Sequence, residues 1–154
     1  MNQRTYNILV LCTGNSARSV MGEALLNVLG KGRFRAYSAG SRPSGKVQPM
    51  AAELAAKIGY DTANLRSKSW DEFSGPDAPE MDMVITVCGN ADQACPVFPG
   101  QLNRHQWGFD DPAHATGTDE EKLVVFRKVR DEIKMVFEAY AAGRRDQVKA
   151  IQTT

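Results

Sequence analysis

Apolar residues follow two spacings along the chain. Short runs of consecutive or alternating apolar residues are typical of buried strands, and longer segments repeat apolar residues at the spacing of a helix. The runs predict strands at 6–11, 33–40, 81–88 and 105–109, and the longer segments predict helices at 17–30, 47–59 and from Thr118 to Ala142, with a short helix at 69–73.

Turn and capping residues support these boundaries. Gly30 and Gly59 follow two of the predicted helices, where glycine commonly ends a helix, and Pro49 is tolerated in a first turn. Thr118 and Glu121 have the spacing of a capping box. The last helix therefore begins at Thr118, and its apolar face consists of Phe126, Val129, Ile133, Val136, Phe137 and Tyr140.

The order of elements predicts the fold class. Strands that alternate with helices indicate an α/β fold with right-handed crossovers, here a single-domain, doubly wound, four-stranded parallel sheet flanked by helices. We expect one domain over 1–142 and a polar C-terminal tail over 143–154 that frays. In such sheets the ligand lies beyond the carboxyl ends of the strands. Cys12, Cys88 and the segment 109–112 all follow predicted strands and should meet there.

Composition narrows the function classes. The 154 residues suit one domain, and a formal net charge of +1 gives no electrostatic reason to expect nucleic acid or a membrane surface as partner. The N-terminal residues have neither a signal-peptide cleavage site nor an apolar run long enough to span a membrane, so we expect a cytoplasmic protein. Three cysteines in a reducing compartment do not indicate a disulfide framework, and His105 and His114 are not near a Cys-x-x-Cys pair, so no zinc site is expected.

The stretch LVLCTGNSARS (9–19) carries the main chemical signal. A strand ends in Cys12, and Arg18 follows six positions later at the start of a helix. Backbone N–H groups of the intervening loop can form a nest for a tetrahedral oxyanion, and the helix N-terminus adds positive potential. The predicted anion-binding loop consists of Thr13, Gly14, Asn15, Ser16 and Ala17.

Three side-chain roles follow from this loop. Arg18 offers a planar, bidentate donor to two anion oxygens, and the same positive field favours the thiolate form of Cys12. Ser19 can donate its hydroxyl to that thiolate, and we expect Gly14 to take a backbone conformation that a side chain would resist. The alternative is an ordinary buried thiol with a surface arginine, because a bare Cys-x5-Arg pattern is common.

The segment WGFDDPA (107–113) supplies a candidate acid. Transfer of an oxyanion needs a group that protonates the leaving oxygen. Pro112 restricts Asp111 to extended conformations, which helps to aim its carboxylate, although Asp110, Asp111 and Pro112 together are also typical of a polar turn.

Four segments together resemble a known family: CTGNSARS (12–19), YSAG (37–40), VCGNADQAC (87–95) and WGFDDP (107–112). They are similar to arsenate reductases with the fold of low-molecular-weight protein-tyrosine phosphatases, and more narrowly to the three-cysteine, thioredoxin-coupled type. The similarity runs from about residue 6 to 141. It implies arsenate as substrate, a role in arsenic detoxification, and thioredoxin as reductant, with glutaredoxin left open.

The resemblance also implies a thiol relay. Cys12 attacks arsenate, Asp111 protonates the leaving oxygen, and Cys88 attacks Cys12 so that arsenite leaves. Cys95 then attacks Cys88, which leaves a redox-active Cys88–Cys95 disulfide for the external reductant. Six residues separate these two cysteines. Arranged as helical turns they span on the order of 9 Å, beyond the roughly 7 Å limit for a disulfide, so we expect the segment 89–97 to move during turnover.

Two positions depart from the family pattern. Ala17 stands where this type often has a cysteine that the relay does not use. Some relatives bind potassium behind the loop through residues that match Asn15, Glu23 and Ser38, plus an aspartate that aligns with Lys68 here. We hypothesise that the Lys68 ammonium replaces the ion, pairs with Glu23 and steadies Asn15; otherwise it is an ordinary loop lysine. No metal or other cofactor is then expected.

Two other functions remain open. A phosphatase that acts through a Cys12 phosphoenzyme would need aromatic residues to grip phosphotyrosine. Ala113 and His114 follow Asp111-Pro112, and SRPSGK (41–46) contains no aromatic residue, so the pocket suits a small inorganic anion better. A non-enzymatic anion-binding protein would not need both a nucleophile and an acid. Nothing in the sequence requires more than a monomer.

Overall fold

The computed structural model describes residues 5–88 and 104–141, which form a parallel sheet and three α-helices. The strands are β1 (Tyr6–Cys12), β2 (Phe34–Gly40), β3 (Met83–Cys88) and β4 (Arg104–Phe109). The helices are α1 (Arg18–Leu29), α2 (Pro49–Lys57) and α3 (Asp119–Ala141), and short 3₁₀ turns cover Thr62–Asn64, Trp70–Phe73 and Pro112–His114.

The strand order of the sheet is β2-β1-β3-β4, and each neighbouring pair is parallel. The chain moves outward from β1 to β2 and then crosses back over β1 to β3. This reversal makes a doubly wound sheet, and it confirms the predicted fold class. The reversal lies between β1 and β3, the position where doubly wound folds bind ligands. Cys12 and Cys88 end these two strands.

The two faces of the sheet are covered differently. All three helices join the larger core cluster on one face, where Ile8 and Val10 of β1 meet Val20, Ile133 and Phe137. The other face carries a smaller cluster of Leu9, Leu11, Ala39, Met81 and Val84, with Tyr37, Trp70 and Phe73 packed against it. From Ile8 to Cys12, β1 is thus buried on both faces of the sheet.

Local signals placed most helix ends correctly. Pro49 occupies the first turn of α2, and the Thr118 and Glu121 side chains exchange hydrogen bonds with each other's backbone N–H at 3.1 and 3.2 Å. α2 ends at Lys57, two residues before the predicted end, because Gly59 turns the chain with φ of 95°. The predicted short helix at 69–73 is a 3₁₀ turn.

β2 lies at one edge of the sheet, and side chains cover part of that edge. Asn27 of α1 accepts a hydrogen bond from the Ala36 N–H and donates one to the Ala36 carbonyl, both at 3.0 Å. Further along, the Gly40 N–H donates to the Lys68 carbonyl at 2.9 Å. The outward backbone groups of β2 are therefore capped at two positions.

Some predictions fall outside the described residues. Cys95, the predicted movement of 89–97 and the fraying of 143–154 belong to segments that the structure does not describe. The domain boundary at residue 142 stays a prediction.

Candidate active site

Cys12 lies at the carboxyl end of β1 and is 2% exposed. Its sulfur is 2.9 Å from the Ser19 hydroxyl oxygen and accepts a hydrogen bond from the Asn15 N–H at 3.2 Å. The Asn15 side-chain amide donates to the same Ser19 oxygen at 2.8 Å. The Ser19 hydroxyl keeps its own proton and can donate it to the Cys12 sulfur when that sulfur is a thiolate. Both contacts stabilise negative charge on Cys12.

The loop between β1 and α1 has the conformation of an anion nest. Asn15 takes a left-handed backbone conformation with φ of 47°, which asparagine tolerates better than most residues. The expectation for Gly14 is wrong, because Gly14 does not have a positive φ and a Cβ there would meet only the Ser16 hydroxyl, at 3.6 Å. Three carbonyl groups of the loop accept hydrogen bonds from backbone N–H groups of the segment 42–48, at 2.9–3.0 Å. Arg42 donates to Thr13, Ser44 donates to Gly14, and Gln48 donates to Ser16.

Neighbouring backbone fixes the loop from a second side. The Asn15 side-chain oxygen accepts a hydrogen bond from the Lys68 N–H at 2.9 Å, and Asn15 is fully buried. Gly40 at the end of β2 packs so closely that a Cβ would clash with the Thr13 carbonyl and lie 3.1 Å from the Asn15 backbone nitrogen. Gly40 is a site residue that the sequence reasoning did not single out.

Arg18 and Asp111 face each other beside the loop. The Arg18 guanidinium is 3% exposed, donates to the Phe109 carbonyl at 3.2 Å and lies 3.5 Å from the Asp111 carboxylate. The other Asp111 oxygen accepts from the Ala113 N–H at 3.0 Å and caps the 3₁₀ turn Pro112–His114. This geometry aims Asp111 toward the loop, whereas Asp110 is exposed.

The Cys88 backbone ends β3 and pairs in register with Phe109, after an irregularity between Thr86 and Cys88. The Phe109 carbonyl is the one that holds Arg18. The structure therefore brings the backbone of Cys88 to the edge of the sheet where Cys12, Arg18 and Asp111 lie. Cys95 is outside the described residues.

Comparison with known families identifies this arrangement. The model of the low molecular weight phosphotyrosine protein phosphatase family matches residues 7–152. The chain belongs to this family.

Relatives within the phosphatase family include arsenate reductases. The chain is 43% identical over 141 residues to the arsenate reductase of Halalkalibacterium halodurans. This alignment covers 92% of this chain and 97% of that protein. It is 41% identical over 126 residues to the arsenate reductase of Bacillus subtilis, and this alignment covers 82% of this chain and 88% of that protein. A solved arsenate reductase in a phosphate-binding state superposes with a TM-score of 0.70 at 29% identity, over 90% of this chain and 98% of that one. The predicted resemblance is confirmed.

A buried polar network lies behind the loop between β1 and α1 of this phosphatase-family chain. One Glu23 oxygen accepts from the Ser38 hydroxyl at 2.7 Å and lies 3.8 Å from the Lys68 ammonium. The other accepts from the Tyr60 hydroxyl at 2.6 Å. The Lys68 ammonium donates to the Arg66 carbonyl at 3.2 Å, and its backbone N–H, not its ammonium, holds Asn15.

Burial shapes the electrostatics of this network. Desolvation lowers the pKa of Lys68, and the nearby Glu23 carboxylate opposes that shift. Desolvation also raises the pKa of Tyr60, and its hydrogen bond to Glu23 adds to the effect. Sequence reasoning missed Tyr60, although Gly59 was noted. The left-handed Gly59 lets the Tyr60 N–H donate back to the Ala55 carbonyl at 3.1 Å, which turns the tyrosine toward α1.

Candidate metal centres and candidate membrane-spanning helices are both absent from residues 5–88 and 104–141. No group of three or more histidine, cysteine, aspartate or glutamate residues there could hold a metal ion. In the same part of the chain, no helix has the length and apolar character needed to cross a membrane.

Proposed function

We propose that this chain reduces arsenate to arsenite with Cys12 as the nucleophile. The observation that carries the proposal is the buried Cys12 sulfur, which two donors hold at the mouth of an anion nest beside Arg18. The relatives at about 40% identity are named arsenate reductases. The arsenate oxygens would accept hydrogen bonds from the backbone N–H groups of Thr13, Gly14, Ser16 and Ala17, and Arg18 adds a bidentate contact. The Asn15 N–H donates to the Cys12 sulfur instead.

The first step forms a bond between the Cys12 sulfur and arsenic. One arsenate oxygen leaves as water after it receives a proton from Asp111, which lies 3.5 Å from Arg18 at the edge of the loop. The Ser19 hydroxyl, which faces the sulfur in the resting site, orients the nucleophile. The product is a covalent arsenic(V) adduct on Cys12.

The second and third steps move two electrons through thiols. Cys88 as thiolate attacks the Cys12 sulfur, and the electron pair of the sulfur–arsenic bond passes to arsenic, which leaves as arsenite. Cys95 attacks Cys88 in the resulting disulfide, forms a Cys88–Cys95 disulfide and releases Cys12 as thiolate. A dithiol of the thioredoxin type, with glutaredoxin as the alternative, reduces the last disulfide. The register of Cys88 with Phe109 supports the first of these exchanges.

We also propose that Lys68 takes the place of a bound cation. Its ammonium lies 3.8 Å from the Glu23 carboxylate. Ser38 donates a hydrogen bond to Glu23, and Asn15 accepts one from the Lys68 backbone N–H. Asn15, Glu23, Ser38 and Lys68 then support the loop without a metal. Added potassium should change neither thermal stability nor turnover, and a marked potassium activation would contradict this role.

We infer a monomeric cytoplasmic protein. The decisive experiment adds it to thioredoxin, thioredoxin reductase and NADPH, and measures the NADPH oxidation that depends on arsenate. A glutaredoxin system serves as the comparison. Cys12→Ser should abolish turnover, and Cys88→Ser and Cys95→Ser should stop multiple turnover. A Cys95→Ser variant that retains full multiple turnover with thioredoxin would contradict the relay.

The family match also supports a second function, phosphate-ester hydrolysis through a Cys12 phosphoenzyme. This reaction needs no second cysteine. Hydrolysis of p-nitrophenyl phosphate should therefore survive Cys88→Ser and Cys95→Ser while arsenate turnover is lost. If wild-type protein hydrolyses aryl phosphates efficiently and does not reduce arsenate, the phosphatase function is the correct one.

A further inference from the structure

A cleft of about 740 Å³ runs along the outer edge of β2, separate from the catalytic loop. Its lining residues come from α1, β2, the turn after α2 and the segment 66–79, and they do not include Cys12, Arg18 or Asp111. Six of its residues carry the chemistry considered below: Arg35, Tyr37, Tyr60, Arg66, Lys68 and Phe73.

The acidic groups of the cleft already have partners. Glu23 accepts from Ser38 and Tyr60, as described above. Glu72 accepts two hydrogen bonds from the Arg66 guanidinium, at 2.8 and 3.3 Å. Asp61 accepts from the Ala63 N–H at 3.0 Å. These hydrogen bonds fix the positions of the three carboxylates, and the positive charges of Arg35, Arg66 and Lys68 in the same cleft balance their negative charges.

Two cationic groups of the cleft keep unused donors. The Lys68 ammonium has three N–H groups, but its one hydrogen bond in the described part of the chain goes to the Arg66 carbonyl, and Glu23 lies beyond hydrogen-bond distance at 3.8 Å. The Arg35 guanidinium has no ion pair or hydrogen bond with any described residue. Lys68 is also 7% exposed, and its burial lowers its pKa, as expected for a cation that lacks full compensation.

We propose that this cleft binds a small organic anion. Its carboxylate would accept hydrogen bonds from Lys68 and Arg35, and its apolar body would pack against the rings of Tyr37 and Phe73, whose centroids lie 5.4 Å apart. The site is independent of the proposed reaction, because none of the reacting residues lines it. It is nevertheless linked to the catalytic loop, because the Lys68 N–H holds Asn15.

Benzoate is a suitable probe, and neutral benzamide is its matched control. We expect benzoate to shift backbone amide NMR signals of Tyr37, Tyr60 and Lys68, with a Kd on the order of 1 mM. Benzamide should bind at least about tenfold more weakly, since it lacks the charge. Equal binding of both compounds, no binding, or shifts confined to residues 13–18 would overturn the proposal. None of these outcomes depends on whether arsenate is reduced.

Two variants test whether Lys68 and Arg35 are the cations that bind benzoate. Lys68→Met should weaken benzoate binding by about tenfold or more, whereas Lys57→Met, a change at an exposed lysine paired with Glu53, should leave it unchanged. Because Lys68 is buried, Arg35→Gln gives a second test that does not disturb the core. It should weaken binding about threefold, with Arg33→Gln as its control. Unchanged affinity in both Lys68→Met and Arg35→Gln would contradict the assignment.

Discussion

Replacing Asn15 by alanine tests how much its hydrogen bonds stabilise the loop between β1 and α1. The side chain makes two buried hydrogen bonds, from the Lys68 N–H at 2.9 Å and to the Ser19 hydroxyl at 2.8 Å. Leaving such partners unpaired costs about 1–3 kcal/mol for the backbone donor and about 1 kcal/mol for the hydroxyl. A left-handed conformation costs alanine about 1 kcal/mol more. We expect Asn15→Ala to lower the free energy of unfolding by about 3–5 kcal/mol, a large part of a typical total.

Asn15→Gly separates the loss of hydrogen bonds from the cost of the left-handed backbone conformation. Glycine loses the same hydrogen bonds but accepts a φ of 47° without strain, so it should be about 1 kcal/mol more stable than the alanine variant. Urea unfolding gives both values. If Asn15→Ala unfolds like the wild type, the hydrogen bonds do not stabilise the loop. If the glycine variant is no more stable than the alanine variant, backbone strain is not a factor.

Reactivity of Cys12 gives an independent measurement in the same variants. Without the Asn15 amide, the Ser19 hydroxyl is no longer directed at the sulfur. Alkylation of Cys12 by iodoacetamide in the folded protein, followed by mass spectrometry, should therefore slow about tenfold in both variants, as expected for loss of one hydrogen bond to the reacting sulfur. A wild-type rate would show that Ser19 does not act on Cys12.

Three further changes test other parts of the site. Arg18→Lys keeps the charge but loses the planar fork, so the KM for arsenate should rise about tenfold in the coupled assay. Gly40→Ala should destabilise the protein by about 1–3 kcal/mol in urea through its clash with Thr13, whereas Gly75→Ala, which meets no atom within 4 Å, should not. The hydrogen bond from Arg66 lowers the pKa of Glu72 below the ordinary glutamate value of 4.5, which applies to the unfolded chain. The stabilisation by this pair is therefore complete above that value and is lost as the pH falls through the lower pKa of the folded state. Glu72→Gln should remove that part of the acid dependence of the melting temperature, and an unchanged acid profile would contradict it.

Much of the fold was predictable because its signals are local. The apolar runs found the strands, and the Thr118–Glu121 capping box found the start of α3, because each depends on residues a few positions apart. The meeting of Cys12, Cys88 and Asp111 followed from one topological rule, namely that parallel strands end at the same edge of a sheet. The individual roles of these residues remain proposals.

The features that were missed depend on contacts between distant parts of the chain. Tyr60 reaches Glu23 across 37 positions, and no periodicity encodes that meeting. The left-handed position was placed on Gly14 because glycine is the usual choice. The structure puts it on Asn15, whose side chain is anchored to Lys68, 53 positions away, and these contacts outweigh the local preference.

The hydrogen bonds that Asn27 makes with β2 cover part of an exposed edge of the sheet. An uncovered edge strand offers a row of unpaired N–H and carbonyl groups on which another strand can assemble. At Ala36 the Asn27 side chain occupies both the N–H and the carbonyl group, and at Gly40 the Lys68 carbonyl accepts the N–H. Asn27 thus occupies backbone groups that a strand of another molecule would need for pairing, as charged side chains and prolines do at the edges of many other sheets.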